Sequence, residues 1–364
     1  MAGTNPISSA PGRRPAWDSA RGLAVLFMIL VHGMMIWGGA GASGTALGAF
    51  VDFLGGPPAA PVFLFLMGAG TAISRKSSPG ALAGRGLVLL AGNYALNLGR
   101  SVLPALVSGL IAPKVGVEGL SILTGGDGAL GFFGVDILAC AGLSLLVIAG
   151  LGAINAPVWS LPVLGLALNT SGRILADLDL PGPRALYALA WGSAGFSFFP
   201  MLTWALYPLA GAAWARTLAA QEPEPRRYGR ILLLASAALA ALSLPYILGF
   251  RDLFPTEESY YHHGPLEALW LAAFSAAWIA VLGWASLRLP AAVRGILTAL
   301  SRAVTPVYVL HWIAIGWLTL AIPPGSLGDC AWLVPTLGLC AAACLYARFR
   351  FLQKAGVYGG NSCA

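Results

Sequence analysis

The sequence predicts an all-α polytopic membrane protein: a bundle of about ten transmembrane helices with both termini cytoplasmic. Three observations carry that prediction. Of 364 residues, 58% are hydrophobic and only 10% are charged, against about 25% charged in soluble domains. The apolar runs approach twenty residues without alternation, which suits a helix crossing a ~30 Å hydrocarbon core and not a barrel strand. The basic residues also sort by loop. With the N-terminus inside, the outer loops hold only Arg100, Lys114, Arg173, Arg184 and Arg251 of the 21, the bias that sets orientation. Positive-inside topology accounts for the net charge of +7, and nothing in the chain signals a nucleic-acid partner.

Residues 1–20 read as a polar cytoplasmic segment, 21–350 as a single membrane domain and 351–364 as a short cytoplasmic tail. Arg13 and Arg14 imitate the start of a signal peptide, but no cleavage site follows, so the first span reads as retained. Hydropathy places the spans at 21–39, 58–75, 83–101, 129–150, 156–171, 195–216, 229–249, 266–287, 303–322 and 330–348. The stretch 102–112 is apolar, too short to span and interrupted by Pro104, which suits an interfacial or re-entrant segment. No repeat or pair of matching halves is evident. Many of the 47 glycines are expected where helices pack closely. Five cysteines (Cys140, Cys330, Cys340, Cys344 and Cys363) show neither paired nor metal-ligand spacing, and no metal is expected.

The chemistry should lie in polar groups inside the membrane, which are costly there and mark function. Arg21 and His32 are eleven residues apart on one face of the first helix, about 16 Å along its axis. An arginine at the surface puts the histidine near the midplane. Imidazole can accept a proton or act as a nucleophile. Asp136 interrupts the fourth span and needs a partner, with His32, Arg100 or a helix N-terminus as candidates. Bonded to His32, it would fix the tautomer. Asn93, Asn97 and Arg100 share one face of the third span and suit interhelical hydrogen bonds or substrate contact. His311, in the ninth span, could line the same cavity as His32. His262 and His263 precede span eight, where an outer vestibule could meet an acceptor. Arg75, Lys76 and Arg85 form a basic inner loop suited to a phosphate-bearing donor.

The lead-in Trp17-Asp18-Ser19-Ala20-Arg21-Gly22-Leu23-Ala24, with His32 eleven residues beyond Arg21, resembles the first span of the transmembrane acyltransferase superfamily. That group includes acyltransferase family 3 and the heparan-α-glucosaminide N-acetyltransferase-like proteins. The second span, Gly56-Pro57-Pro58 through Phe63-Leu64-Phe65-Leu66-Met67-Gly68, is similar to a helix of the latter branch, as are Phe199-Pro200 and Tyr308 to His311. Trp37 to Pro57 contains no histidine, so His32 matches the intramembrane histidine of the family 3 pattern instead.

The resemblance implies a bacterial-type inner-membrane enzyme moving an acyl group, acetyl above all, from cytosolic acyl-CoA to a hydroxyl or amine of an extracytoplasmic glycan or small molecule. His32 would be general base or nucleophile, with Arg21 and Asp136 beside it in the catalytic set. Arg21, Arg75, Lys76 and Arg85 would hold the donor, and Asn93, Asn97, Arg100, His262, His263 and His311 the acceptor. Such an enzyme needs His32 on a cavity open to the basic loop. The rival expectation is a proton-coupled transporter or flippase using His32, Asp136 and His311. The expected partners are the lipid bilayer, the acyl-CoA donor and the glycan or small-molecule acceptor, and homo-oligomerisation stays open.

Overall fold

The computed structural model describes residues 14–111, 131–176, 184–192, 196–217, 225–247, 257–328 and 330–359. Helices dominate, and among these residues the only β contacts are two isolated bridges, Gly38 with Leu327 and Val135 with Ser197.

Helix α1 (Pro15–Trp37) is the axis of the bundle. Pro15 stands at its first turn, where a missing N–H costs nothing and a fixed φ favours helix. That start takes in Trp17 and Asp18, so the helix begins six residues before the span expected at 21–39. One face carries Ala20, Ala24, Val25 and Ile29, all fully buried. Such small and branched residues allow close neighbours on every side. At the far end, the Gly39 amide donates to the Leu327 carbonyl (2.8 Å), and the amides of Gly325 and Leu327 donate to Ile36 and Trp37 (2.9 and 3.0 Å). The orphan carbonyls of the last turn are thereby satisfied by a loop from the other end of the chain.

Around α1 lie α2 (Ala46–Gly55), α3 (Ala60–Ile73), α4 (Pro79–Asn97), α5 (Leu103–Ile111), α6 (Ile137–Ala153) and α7 (Ser160–Ala176). Then follow α8 (Arg184–Ala190), α9 (Met201–Trp204), α10 (Leu206–Thr217), α11 (Pro225–Ile247), α12 (Glu257–Tyr261), α13 (Pro265–Ser286), α14 (Ala291–Arg302), α15 (Val304–Leu318) and α16 (Leu333–Gly359). Helix α1 packs on α2, α3, α13, α14, α15 and α16. Two glycine seams bring other pairs to backbone contact. A Cβ on Gly68 of α3 would fall 1.8 Å from the Pro208 carbonyl oxygen of α10, and one on Gly211 would fall 1.9 Å from that of Phe65. Gly86 of α4 and Gly142 of α6 face one another in the same way.

The outer surface is apolar: Leu266 is 78% and Val334 76% exposed, as lipid-facing residues must be. Among the described residues, three helical stretches are long and apolar enough to cross a membrane: Pro15–Trp37, Ala46–Ile73 and Pro265–Ser286. A fourth passes if α14 and α15, bent by 81°, are taken together. The other apolar helices are shortened by breaks that hydropathy does not register. Helix α6 starts at Ile137, not 129, because Gly134 and Val135 leave helical geometry and Val135 pairs with the strand-like Phe196–Phe199 segment. Between Asn97 and Leu103, one π-helical turn (Leu98–Val102) joins α4 to α5. The short stretch after the third span is therefore its continuation rather than a separate segment.

Candidate functional site

The site assembles from α1, α4, α6 and α15. His32 and His311 are 279 residues apart in sequence, yet His32 Nδ1 and His311 Nε2 lie 3.0 Å apart, with ring planes within 2° of parallel. The indole of Trp312 lies against His32, centroid to centroid 4.1 Å. Trp312 also meets the Arg100 guanidinium, 4.6 Å from the ring centre, a cation–π contact strengthened by the dry surroundings.

Arg100 and Asp136 form a buried ion pair, their side chains 5% and 4% exposed. The second carboxylate oxygen accepts from the Tyr308 hydroxyl and from the Ile137 amide. Tyr308 in turn accepts from Trp312 Nε1 at 2.9 Å. Asp136 is thus the N-cap of α6, joining side-chain capping to charge pairing. It does not sit in mid-helix as the hydropathy reading has it. Of its three expected partners it has Arg100 and the helix N-terminus, but not His32. His32 pairs with His311 instead.

Asn93 and Asn97 explain how an irregular backbone survives here. Nδ2 of Asn93 donates to the Gly134 carbonyl (2.9 Å), and Nδ2 of Asn97 donates to Gly134 and Phe132 (2.7 and 3.0 Å). Oδ1 of Asn93 accepts from the Asp136 amide at 3.2 Å, and Oδ1 of Asn97 accepts from Arg100 at 3.0 Å. Non-helical backbone at membrane depth is tolerable only when the protein satisfies it. Of the two readings the sequence left for Asn93, Asn97 and Arg100, interhelical hydrogen bonds and substrate contact, the first is seen: all three turn inward, onto this protein's own backbone and Asp136.

His263 is likewise no vestibule residue. It is buried, with Nδ1 donating to the Tyr260 carbonyl (2.7 Å) and Nε2 accepting from the Tyr207 hydroxyl (2.6 Å). Burial, chiefly, and the neighbouring His262 lower its pKa to about 4, against the opposing pull of the Tyr260 carbonyl. His262 is half-buried against Gly192.

At the foot of α1 a cavity of about 970 Å³ opens between α1, α3, α4 and α6. Arg14, Arg21, Lys76 and Arg85 line it with apolar Phe63 and Met67. Arg21 donates to the Leu66 carbonyl at 3.0 Å. Arg75 is exposed and does not contribute to the lining. The inner walls reach Leu138, Ala141, Val304 and Thr305. His32 is not among them, so in this conformation the expected open path from basic loop to histidine stops short.

Asp18 binds the foot of α1 to α14 by accepting from Ser301 Oγ at 2.7 Å. Sequence reasoning gave Tyr308, Trp312, Arg14 and Asp18 no part in the site. For the first two a signal existed: Tyr308, His311 and Trp312 at i, i+3 and i+4 share one helix face. Among the described residues no group of three or more His, Cys, Asp or Glu side chains could hold a metal ion.

An acyltransferase family 3 domain model matches residues 14–347. A search of curated proteins finds no match. The match covers nearly the whole chain, including every helix that builds the site, and the chain belongs to acyltransferase family 3. Membership favours a membrane acyltransferase over the transporter that was the rival expectation.

Proposed function

We propose that this acyltransferase takes its acyl group from a coenzyme A thioester bound at the foot of α1 and passes it to a hydroxyl or amine of an acceptor from the opposite face. One observation carries the reading. The cavity of about 970 Å³ sets four cationic side chains, Arg14, Arg21, Lys76 and Arg85, around an apolar interior. A ligand with anionic phosphates at one end and an acyl-bearing arm at the other has that distribution of charge. The phosphates would pair with the arginines and lysine while the arm runs inward past Phe63, Met67 and Leu138 toward His32.

In this reading His32 is the general base. As the acceptor oxygen or nitrogen attacks the thioester carbonyl, its proton passes to the imidazole. The C–S bond then breaks and the leaving thiolate takes the proton back, which restores His32. The apolar walls exclude water that would otherwise hydrolyse the thioester. Phe63, Met67 and Leu138 must part as the arm enters, because His32 lies beyond the inner wall. The corresponding topology has about ten spans with both termini cytoplasmic, and puts the acceptor, a glycan or other small envelope molecule, on the extracytoplasmic side of a bacterial inner membrane.

The test is binding and turnover of labelled acetyl-CoA by the purified protein in lipid nanodiscs, beside His32→Ala. The expected result is retained binding with turnover reduced about 10²- to 10⁴-fold. Failure of the folded wild-type protein to bind acetyl-CoA or a longer acyl-CoA would sink the reading.

A further inference from the structure

We infer that His311 is a positioning residue that fixes the tautomer of His32 and so makes Nε2, not Nδ1, the proton-accepting atom; the inference rests on the base role proposed above. The argument starts at the Val307 carbonyl, which can only accept. His311 Nδ1 lies 3.2 Å from it, so Nδ1 carries the hydrogen. In a neutral imidazole the second nitrogen is then a bare lone pair. His311 Nε2 is that atom, and it stands 3.0 Å from His32 Nδ1. The hydrogen between them therefore belongs to His32 Nδ1, and the lone pair of His32 is left on Nε2.

The opposite assignment requires a doubly protonated His311. A second cation would then sit beside Arg100, in an interior whose nearby carboxylate, Asp136, is already engaged by Arg100, Tyr308 and the Ile137 amide. That arrangement is strongly disfavoured away from water.

The ring is also fixed in place: its Nδ1 is held 3.0 Å from His311 Nε2. Trp312, packed at 4.1 Å, leaves the imidazole little room to turn over. A neutral histidine thus does here what a carboxylate does for many catalytic histidines: it orients the ring and receives the hydrogen bond that strengthens as Nε2 becomes protonated. Asp136, the obvious candidate for that task, acts one layer further out.

The test has one arm that needs no turnover. The chain has four histidines, so nitrogen-15 histidine resonances of the nanodisc-embedded protein are few, and the His32 pair is identified by its loss in His32→Ala. At neutral pH the wild type should show His32 protonated at Nδ1 with Nε2 bare. In His311→Phe, which keeps a ring and removes the acceptor, the Nε2-protonated form should appear. A wild-type His32 protonated at Nε2, or a tautomer unchanged in His311→Phe, overturns the inference whatever the enzyme's substrate.

The second arm is kinetic. His311→Phe should lower kcat about 10- to 1,000-fold with KM for acyl-CoA unchanged, part of the acid–base contribution. His311→Gln, whose Oε1 can replace the Nε2 acceptor, should recover at least a tenth of kcat. Equal losses in the two variants would mean that the acceptor at this position is irrelevant. A wild type that turns over no acyl-CoA would instead defeat the base role, leaving the resonance arm to decide the tautomer.

Discussion

Replacing Asp136 with alanine removes one member of a buried ion pair, and the structure sets the size of the loss. Arg100 is 4% exposed, a guanidinium stays charged, and its Nε has no partner to lean on. Breaking a buried pair by deleting one member costs about 3–5 kcal/mol. Loss of the α6 cap adds about 1 kcal/mol, while Tyr308, still bonded to Trp312, limits the remainder. A total of about 4–6 kcal/mol is expected, a shift of about a thousandfold or more in the folded-to-unfolded ratio. Denaturant unfolding in detergent, read by tryptophan fluorescence, measures it. The sharper quantity is the coupling with Arg100→Met. If the penalty comes from an uncompensated charge, the double variant should be more stable than the sum of the two single losses predicts, by about 2 kcal/mol or more. Additive losses, or a cost below about 1 kcal/mol for Asp136→Ala alone, would refute the view that this pair holds the centre together.

The helix seam and the second buried histidine give further expectations. Gly68→Leu, with a Cβ 1.8 Å from a backbone oxygen that no rotamer change can move, should force α3 from α10 and cost about 3 kcal/mol or more; an unchanged melting temperature would show that the helices are not in backbone contact. His263, with its pKa near 4 in the folded protein against about 6.5 when unfolded, remains neutral while the unfolded chain takes up a proton. Its contribution is therefore intact above about pH 6.5 and is lost as pH falls toward 4, by about 3 kcal/mol in all. The pH dependence of unfolding between 7.5 and 4 should be shallower in His263→Gln than in wild type, and parallel profiles would contradict the assignment.

The first helix was readable because its information is local: an arginine, a helical repeat and a histidine are all within three turns. The cationic foot of the bundle was readable too, since Arg21, Lys76 and Arg85 meet at one cavity. What escaped was whatever depends on distant partners. Hydropathy ran a helix through Gly131-Phe132-Phe133-Gly134-Val135 because each residue is apolar or small, although an aspartate directly before an apolar run is also a helix-start signal. Asn93 and Asn97, reaching from α4 to the bare carbonyls, and the Phe196–Phe199 backbone bonded to Val135 make the break affordable in a membrane. The sequence suits the two asparagine amides to interhelical hydrogen bonds or to substrate, and does not show which backbone they serve. Helix α14, bent by 81° from α15, was missed for a related reason. Its polar face, with Arg294 and Arg302, breaks the apolar count, and its other face packs on α1, where Gly22 meets the Leu297 backbone.

The separation of 279 residues between His32 and His311 has a consequence for how the protein is made. At about 5–20 residues per second of synthesis, α1 leaves the ribosome roughly 14–56 s before α15 can reach it. Throughout that interval the histidine has no partner and Asp18 no Ser301, and a helix carrying them must be sheltered, by the insertion machinery or by α2 and α3 as they arrive. Helix α15, translated long after α1, therefore completes the histidine pair. A chain cut short before α15 would insert its first spans yet never form the histidine pair, so a ribosome that stalls late yields a membrane protein without an assembled site rather than a partially active enzyme.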